Sequence, residues 1–174
     1  MNVPMNVLAR LDARDRALFL RWSIVDRSTL PRIFWIALTH LGGAPFSVAA
    51  ALVPLALGGP ISGAAQRALV VLVLSHIVVQ LVKRTVGRPR PSRATSCRTL
   101  VQEPDRFSFP SGHSAAAMSV AIVYAFAFPS FAFVLIPAAV LVGASRVCLG
   151  VHYPGDVLTG QLIAVLTAIP FVLS

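Results

Sequence analysis

Between two uncharged runs, FAFVLIPAAVLVGA and VLTGQLIAVLTAIPFVLS, the chain places SRVCLGVHYPGD, running from Ser145 to Asp156. An arginine, a histidine and an aspartate set between apolar walls are costly unless they meet charged or hydrogen-bonding partners. Two other polar segments offer matching chemistry: Lys83 to Pro91, KRTVGRPRP, and Pro110 to His113, PSGH. Their common logic is an anion. A guanidinium fork suits phosphoryl oxygens and an ammonium adds a point charge, so Lys83, Arg90 and Arg146 would together surround a phosphoryl group. Ser111 and Gly112 stand where a helix N-terminus leaves backbone N–H groups unpaired, a geometry that holds phosphate without side chains. His113 and His152 can serve as nucleophile, base or acid near neutral pH. Pro154 fits the first turn of a helix, and Asp156 in that turn can reach back towards His152. Such a pair fixes one ring nitrogen and leaves the other free to attack. Residue chemistry alone does not decide which imidazole attacks.

The elements that must position these groups are apolar. The chain has 174 residues, of which 56% are hydrophobic and 12% charged, against roughly 25% charged in soluble domains. Mean hydropathy is +0.79. A single membrane domain is expected. The net charge of +9 points to an anionic head group or membrane surface and not to nucleic acid, because the apolar runs are too long for a soluble basic domain. Cys97 and Cys148 lack metal-site spacing and read as two unlinked thiols. The N-terminus has no unbroken apolar core of a signal peptide, so insertion is expected to rely on later helices.

A spanning helix needs about 20 mostly apolar residues. Four stretches qualify, at about 65–83, 112–128, 130–149 and 156–173. A fifth crossing lies within 33–58, interrupted by Gly42, Gly43 and Pro45, with Ile33 to Leu41 lying along the interface. Residues 8–27 mix Leu, Phe and Trp with arginines and aspartates, as an amphipathic interfacial helix does. The polar stretch 84–111, rich in proline, reads as a loop. Counting crossings brings the three motif segments to one membrane face.

The spaced pattern K-x6-R-P, P-S-G-H, S-R-x5-H-x3-D resembles the signature of the type 2 phosphatidic acid phosphatase family, and it runs from Lys83 to Asp156. The resemblance implies an all-α integral membrane phosphatase that needs no metal or cofactor. It implies that His152 attacks phosphorus and becomes phosphohistidine, that Asp156 orients it, and that His113 protonates the leaving group. Lys83, Arg90, Ser111, Gly112 and Arg146 take the family's phosphate-binding positions. The implied partners are the bilayer and a lipid phosphate: a polyprenyl diphosphate such as undecaprenyl diphosphate first, or phosphatidylglycerophosphate, phosphatidic acid or a polyprenyl-phosphoryl sugar phosphate. A head-group transferase using the same phosphohistidine, and a non-catalytic lipid-binding protein, are the competing classes.

Other polar residues read as supports. Arg84 is expected to anchor the membrane border. Arg88, Arg93, Arg98 and Arg106 are expected in solvent or on lipid head groups, His76 on a neighbouring helix, and His40 in a structural role. Outside Lys83, Arg90 and Arg146, only Arg67 among the basic residues falls on the far side. The positive-inside rule then puts the site on the cytoplasmic face of a bacterial inner membrane, although many bacterial relatives in the resembled family work on the outer face.

Overall fold

The computed structural model describes residues 7–25, 29–95 and 97–173. Parts of the N-terminal segment, 1–6 and 26–28, therefore lie outside the described residues. Eight α-helices follow in order: α1 Val7–Trp22, α2 Thr29–His40, α3 Ala44–Leu52, α4 Gly59–Val86, α5 Pro91–Ala94, α6 Gly112–Ala127, α7 Ala132–Cys148 and α8 Pro154–Val172. Short 3-10 turns extend α3 and precede α7. The described residues form no strand, only a single bridge between Pro89 and Phe107.

Among the described residues three helical stretches are long and apolar enough to cross a membrane: Gly59–Val86, Pro129–Cys148 and Pro154–Val172. The pair Arg32–His40 and Ala44–Leu57 makes a fourth if it is one bent span, and apolar α6 is shorter, at 16 residues. At 1.5 Å per residue α6 covers about 24 Å. It is the central helix, packed by α4, α7 and α8, so its short length lies inside protein. The α2–α3 bend is 44°. It falls between His40 and Ala44, at the interruption expected from Gly42, Gly43 and Pro45. α4 starts six residues before the expected 65 and runs on to Val86, because GPISGA continues in helical register after the Gly58 turn.

Small residues let the helices close up. Ala117, Met118 and Ala121 of α6 meet Ala139 and Val142 of α7 and Ala164 of α8. On the opposite side Ala68 and Val71 of α4 pack with Val123 and Ala168. Ser75 and Ser119 share a 2.8 Å hydroxyl contact between α4 and α6, the polar glue expected between membrane helices. A Cβ on Gly160 would stand 2.4 Å from the carbonyl oxygen of Ser111. α8 is therefore pressed against the start of α6, which is where the chemistry begins.

The candidate active site

The end of α4, the starts of α6 and α8 and the end of α7 meet at one end of the bundle. Lys83 lies in the last turn of α4, which Gly87 closes in the left-handed conformation (φ 63°) with its N–H on the Lys83 carbonyl. Only glycine adopts that backbone without strain. The chain then turns back: Ser108 N donates to the Arg88 carbonyl at 2.8 Å, which with the Pro89–Phe107 bridge lays the 105–108 loop beside the first motif. Arg90 is fully buried. Its Nε donates to the Asp105 carbonyl oxygen at 2.7 Å, its Nη1 to the Val151 carbonyl at 2.9 Å, and its Nη2 to the Asp105 carboxylate at 2.9 Å. Arg90 Nη1 is also 3.3 Å from His152 Nε2. Lys83 Nζ donates to the Phe107 carbonyl at 3.0 Å and is ion-paired with Asp105 at 3.0 Å.

Ser111 caps α6, its hydroxyl accepting from Ser114 N and Oγ at 3.4 and 2.8 Å, while its own N–H goes to the Asp156 carbonyl at 2.9 Å. Gly112 and His113 follow as the first residues of the helix. The α2–α3 bend wraps this point, since a Cβ on Gly43 would lie 3.9 Å from His113 Nε2.

Arg146 ends α7, and a tight turn through Gly150 (φ 83°) folds Val151 N and His152 N back onto the Arg146 carbonyl. Its Nη1 donates to Thr39 Oγ1 of α2 at 2.5 Å. Its Nε and Nη2 are buried and meet no hydrogen-bond partner among the described residues. A buried charged donor left unmade costs several kcal/mol at most sites, so these N–H groups call for an anion. A phosphoryl oxygen would satisfy them.

Asp156 sits at N3 of α8, with Oδ2 accepting from Tyr153 N at 2.9 Å and from the Ser108 hydroxyl. His152 Nδ1 faces the same oxygen at 3.6 Å, an ion-pair distance that is too long for a hydrogen bond. With Nδ1 turned to Asp156, Nε2 is the nitrogen presented beside Arg90. Burial, reinforced by Arg90 and Arg146 and opposed by Asp156, pushes the His152 imidazole down to about 4. It is therefore neutral, and so nucleophilic, at physiological pH. Asp105 is penalised by burial, yet Lys83 and Arg90 hold it below the usual carboxylate range.

All eight residues singled out by the sequence thus lie on the helix ends and turns that converge at this end of the bundle. Three partners lay outside the sequence reading. Asp105 balances two of the three cations, Ser108 holds Asp156, and Thr39 holds Arg146. None carries a spacing signal: Asp105 and Ser108 share one irregular loop and Thr39 is a single polar residue near the end of α2. Arg88 departs from expectation. Instead of facing solvent or lipid it lies between Asp12, Asp15 and Asp156. His76 turns to Gln80 on its own helix, at 3.3 Å, and not to a neighbouring one. Arg84 and His40 are exposed, Cys97 is partly buried and Cys148 is buried.

The sequence pattern of the PAP2 superfamily matches residues 64–174. A lipid A 1-phosphatase of Rhizobium johnstonii is 35% identical over 109 residues, covering 58% of this chain and 45% of that protein. The chain thus spans about half the length of the curated relatives it matches. The crystal structure of the first transmembrane PAP2 type phosphatidylglycerolphosphate phosphatase from Bacillus subtilis superposes with a TM-score of 0.76 at 27% identity, over 94% of this chain and 84% of that one. That of Aquifex aeolicus LpxE gives 0.78 at 26% identity, over 90% and 93%.

Proposed function

Since the chain belongs to the PAP2 superfamily, we propose that it is a membrane phosphatase hydrolysing a lipid phosphate or diphosphate. The observation that carries this is the convergence of His113 and His152 with a buried arginine, Arg146, whose Nε and Nη2 have no hydrogen-bond partner among the described residues. In this reading Lys83, Arg90, Arg146 and the Ser111–Gly112 amides hold the phosphoryl oxygens. His152 Nε2 attacks phosphorus, Asp156 keeps the ring oriented, and the P–O bond to the lipid breaks as His113 gives its proton to the leaving oxygen. His113 then takes a proton from water, which attacks the phosphohistidine and releases phosphate. Loose phosphoryl-transfer transition states are stabilised mainly by such positioning and charge.

The lipid tail would stay among the helices while the head group enters the charged cup. Undecaprenyl diphosphate leads the substrate classes, with phosphatidylglycerophosphate, phosphatidic acid and lipid A 1-phosphate beside it. We place the site on the cytoplasmic face of a bacterial inner membrane, on the strength of the basic residues around it.

Phosphate release by purified protein against that panel tests the reading. Vanadate, which mimics five-coordinate phosphorus, should inhibit, and EDTA should not. His152→Ala should abolish turnover in protein that still inserts and folds. Near-normal release by that variant would remove the nucleophile, and transfer of the phosphoryl group to an added alcohol without free phosphate would make the protein a transferase.

A further inference from the structure

Arg88 belongs to none of the phosphate-binding positions, yet it is the most heavily paired cation among the described residues. Its Nη1 lies 2.7 Å from both Asp156 Oδ1 and Asp15 Oδ2, and its Nη2 lies 2.8 Å from Asp12 Oδ1. Its guanidinium carbon stands 4.0 Å over the Tyr153 ring. Burial opposes its charge, but Asp156, Asp15 and Asp12 outweigh burial and raise its pKa above the ordinary arginine value. Three of the six acidic residues of a chain with net charge +9 are gathered on this one side chain. A solvated ion pair would not need three carboxylates.

Two of those carboxylates come from α1, outside the stretch that matches the family. Asp12, Asp15 and Phe19 fall at helical spacing on one face. Phe19 is fully buried against Val147, Tyr153 and Val157, with its ring edge-on to Tyr153 at 5.4 Å. Asp15 Oδ1 also accepts from Gly155 N at 2.7 Å, meeting an orphan donor in the first turn of α8. Beside this contact the seam between α1 and the starts of α8 and of the first motif stays open as a cavity of about 610 Å³. α1 is therefore held by one aromatic ring and by charges, not by a sealed apolar interface. Leu11, Leu18, Leu20 and Trp22 stay exposed.

We propose that α1 is a working part of the active site. Asp12 and Asp15 fix Arg88, and Arg88 fixes Oδ1 of Asp156, so that Oδ2 stays on the His152 side. Arg88 is a positioning residue that acts through Asp156. A lysine cannot replace it, because a point charge lacks the planar fork that reaches carboxylates on two sides.

The inference rests on the phosphatase reading, and two measurements on the full chain keep them separable. The first is a kinetic cycle. Arg88→Gln should lower kcat at least tenfold with KM within threefold, Asp12→Asn with Asp15→Asn should give a smaller loss of the same kind, and Arg88→Lys should not restore it. In an Asp156→Asn background, Arg88→Gln should cost less than a further twofold, because residues acting as one unit are not additive. Full activity of Arg88→Gln, or equal losses in both backgrounds, overturns the proposal while leaving the phosphatase intact. The second needs no substrate. Trypsin should cut at Arg14 or Arg16 faster in Arg88→Gln than in the parent protein in vesicles, and equal protection would overturn the clamp even if no substrate were found.

Discussion

Asp105 puts a negative charge where the proposed chemistry needs positive ones. Its carboxylate touches Lys83 Nζ and Arg90 Nη2, so the cup holds three cations and one anion before any phosphate arrives. Two unit charges ~5 Å apart at an effective dielectric of ~20 repel by about 3 kcal/mol, and solvent reaching Asp105, 35% exposed, reduces that. Asp105→Asn should therefore tighten inhibition by inorganic phosphate about tenfold, and slower product release should lower kcat. Weaker inhibition would show that Asp105 matters more for orienting Lys83 than for its charge. His152 supports a second expectation. Its neutral form attacks, and its pKa is depressed to about 4 by burial first and by Arg90 and Arg146. Activity should hold as pH falls through the ordinary histidine range and decline only towards that value. The acid limb of kcat/KM should stay in place when a monoester is exchanged for a diphosphate, and a limb near ~6.5 would contradict the buried geometry. The eight motif residues were legible because their spacing is fixed by helix ends. Asp105, Ser108 and Thr39 were not, because a polar residue in a loop or helix gives no hint of partners that lie 15 to 107 positions away.

At the scale of elements, the site depends on how closely α8 rides on α6. Gly160 faces the Ser111 carbonyl, and a Cβ there would come within 2.4 Å of backbone that cannot rotate aside. Gly160→Ala should destabilise the fold by about 1–3 kcal/mol, as overpacking does. It should also reduce activity in the surviving folded protein, since Ser111, Gly112 and His113 move with that carbonyl. Thermal unfolding and kcat/KM measured on one preparation check both, and unchanged values would mean that α8 shifts freely. Apolar length and proline-rich breaks placed the helices of the bundle, but the stretch 84–111 is not all loop: α4 runs on to Val86 and the short α5, Pro91–Ala94, starts at one of its prolines. The α2–α3 bend was harder to read, because Gly42, Gly43 and Pro45 announce an interruption without its angle. The 44° value is set by packing, with Gly42 lodged against Val142 and the His113 carbonyl. The sequence of residues 8–27 suggests a helix on the membrane surface. Leu11, Leu18 and Leu20 do face outward, but Asp12, Asp15 and Phe19 turn inward to the protein, a face hidden in sequence by the arginines around it.

Across the whole molecule the charge is unevenly used. Asp12, Asp15 and Asp156 meet Arg88, Asp105 meets Lys83 and Arg90, and Glu103 accepts from Ser92. Arg14, Arg84 and Arg93 are exposed near the site end of the bundle, and the proposed cytoplasmic orientation rests on such basic residues. Cys97 is a poor reporter of that face, being partly buried against the cluster of Phe19, Val147, Tyr153 and Val157. Arg93 is exposed on the same loop. With Cys97 and Cys148 replaced by serine, Arg93→Cys should react with an impermeant maleimide only after cells are opened, and ready reaction in intact cells would reverse the orientation. The bond from Arg146 to Thr39 has a wider consequence. A fragment starting at residue 64 would keep every motif residue and still lose the Thr39 hydroxyl that meets this guanidinium and two of the three carboxylates on Arg88, those of Asp12 and Asp15. If the α1 clamp holds, that fragment grafted onto a foreign membrane anchor should keep the signature and turn over lipid phosphate more slowly than the full chain, and equal rates would show that the matched stretch suffices.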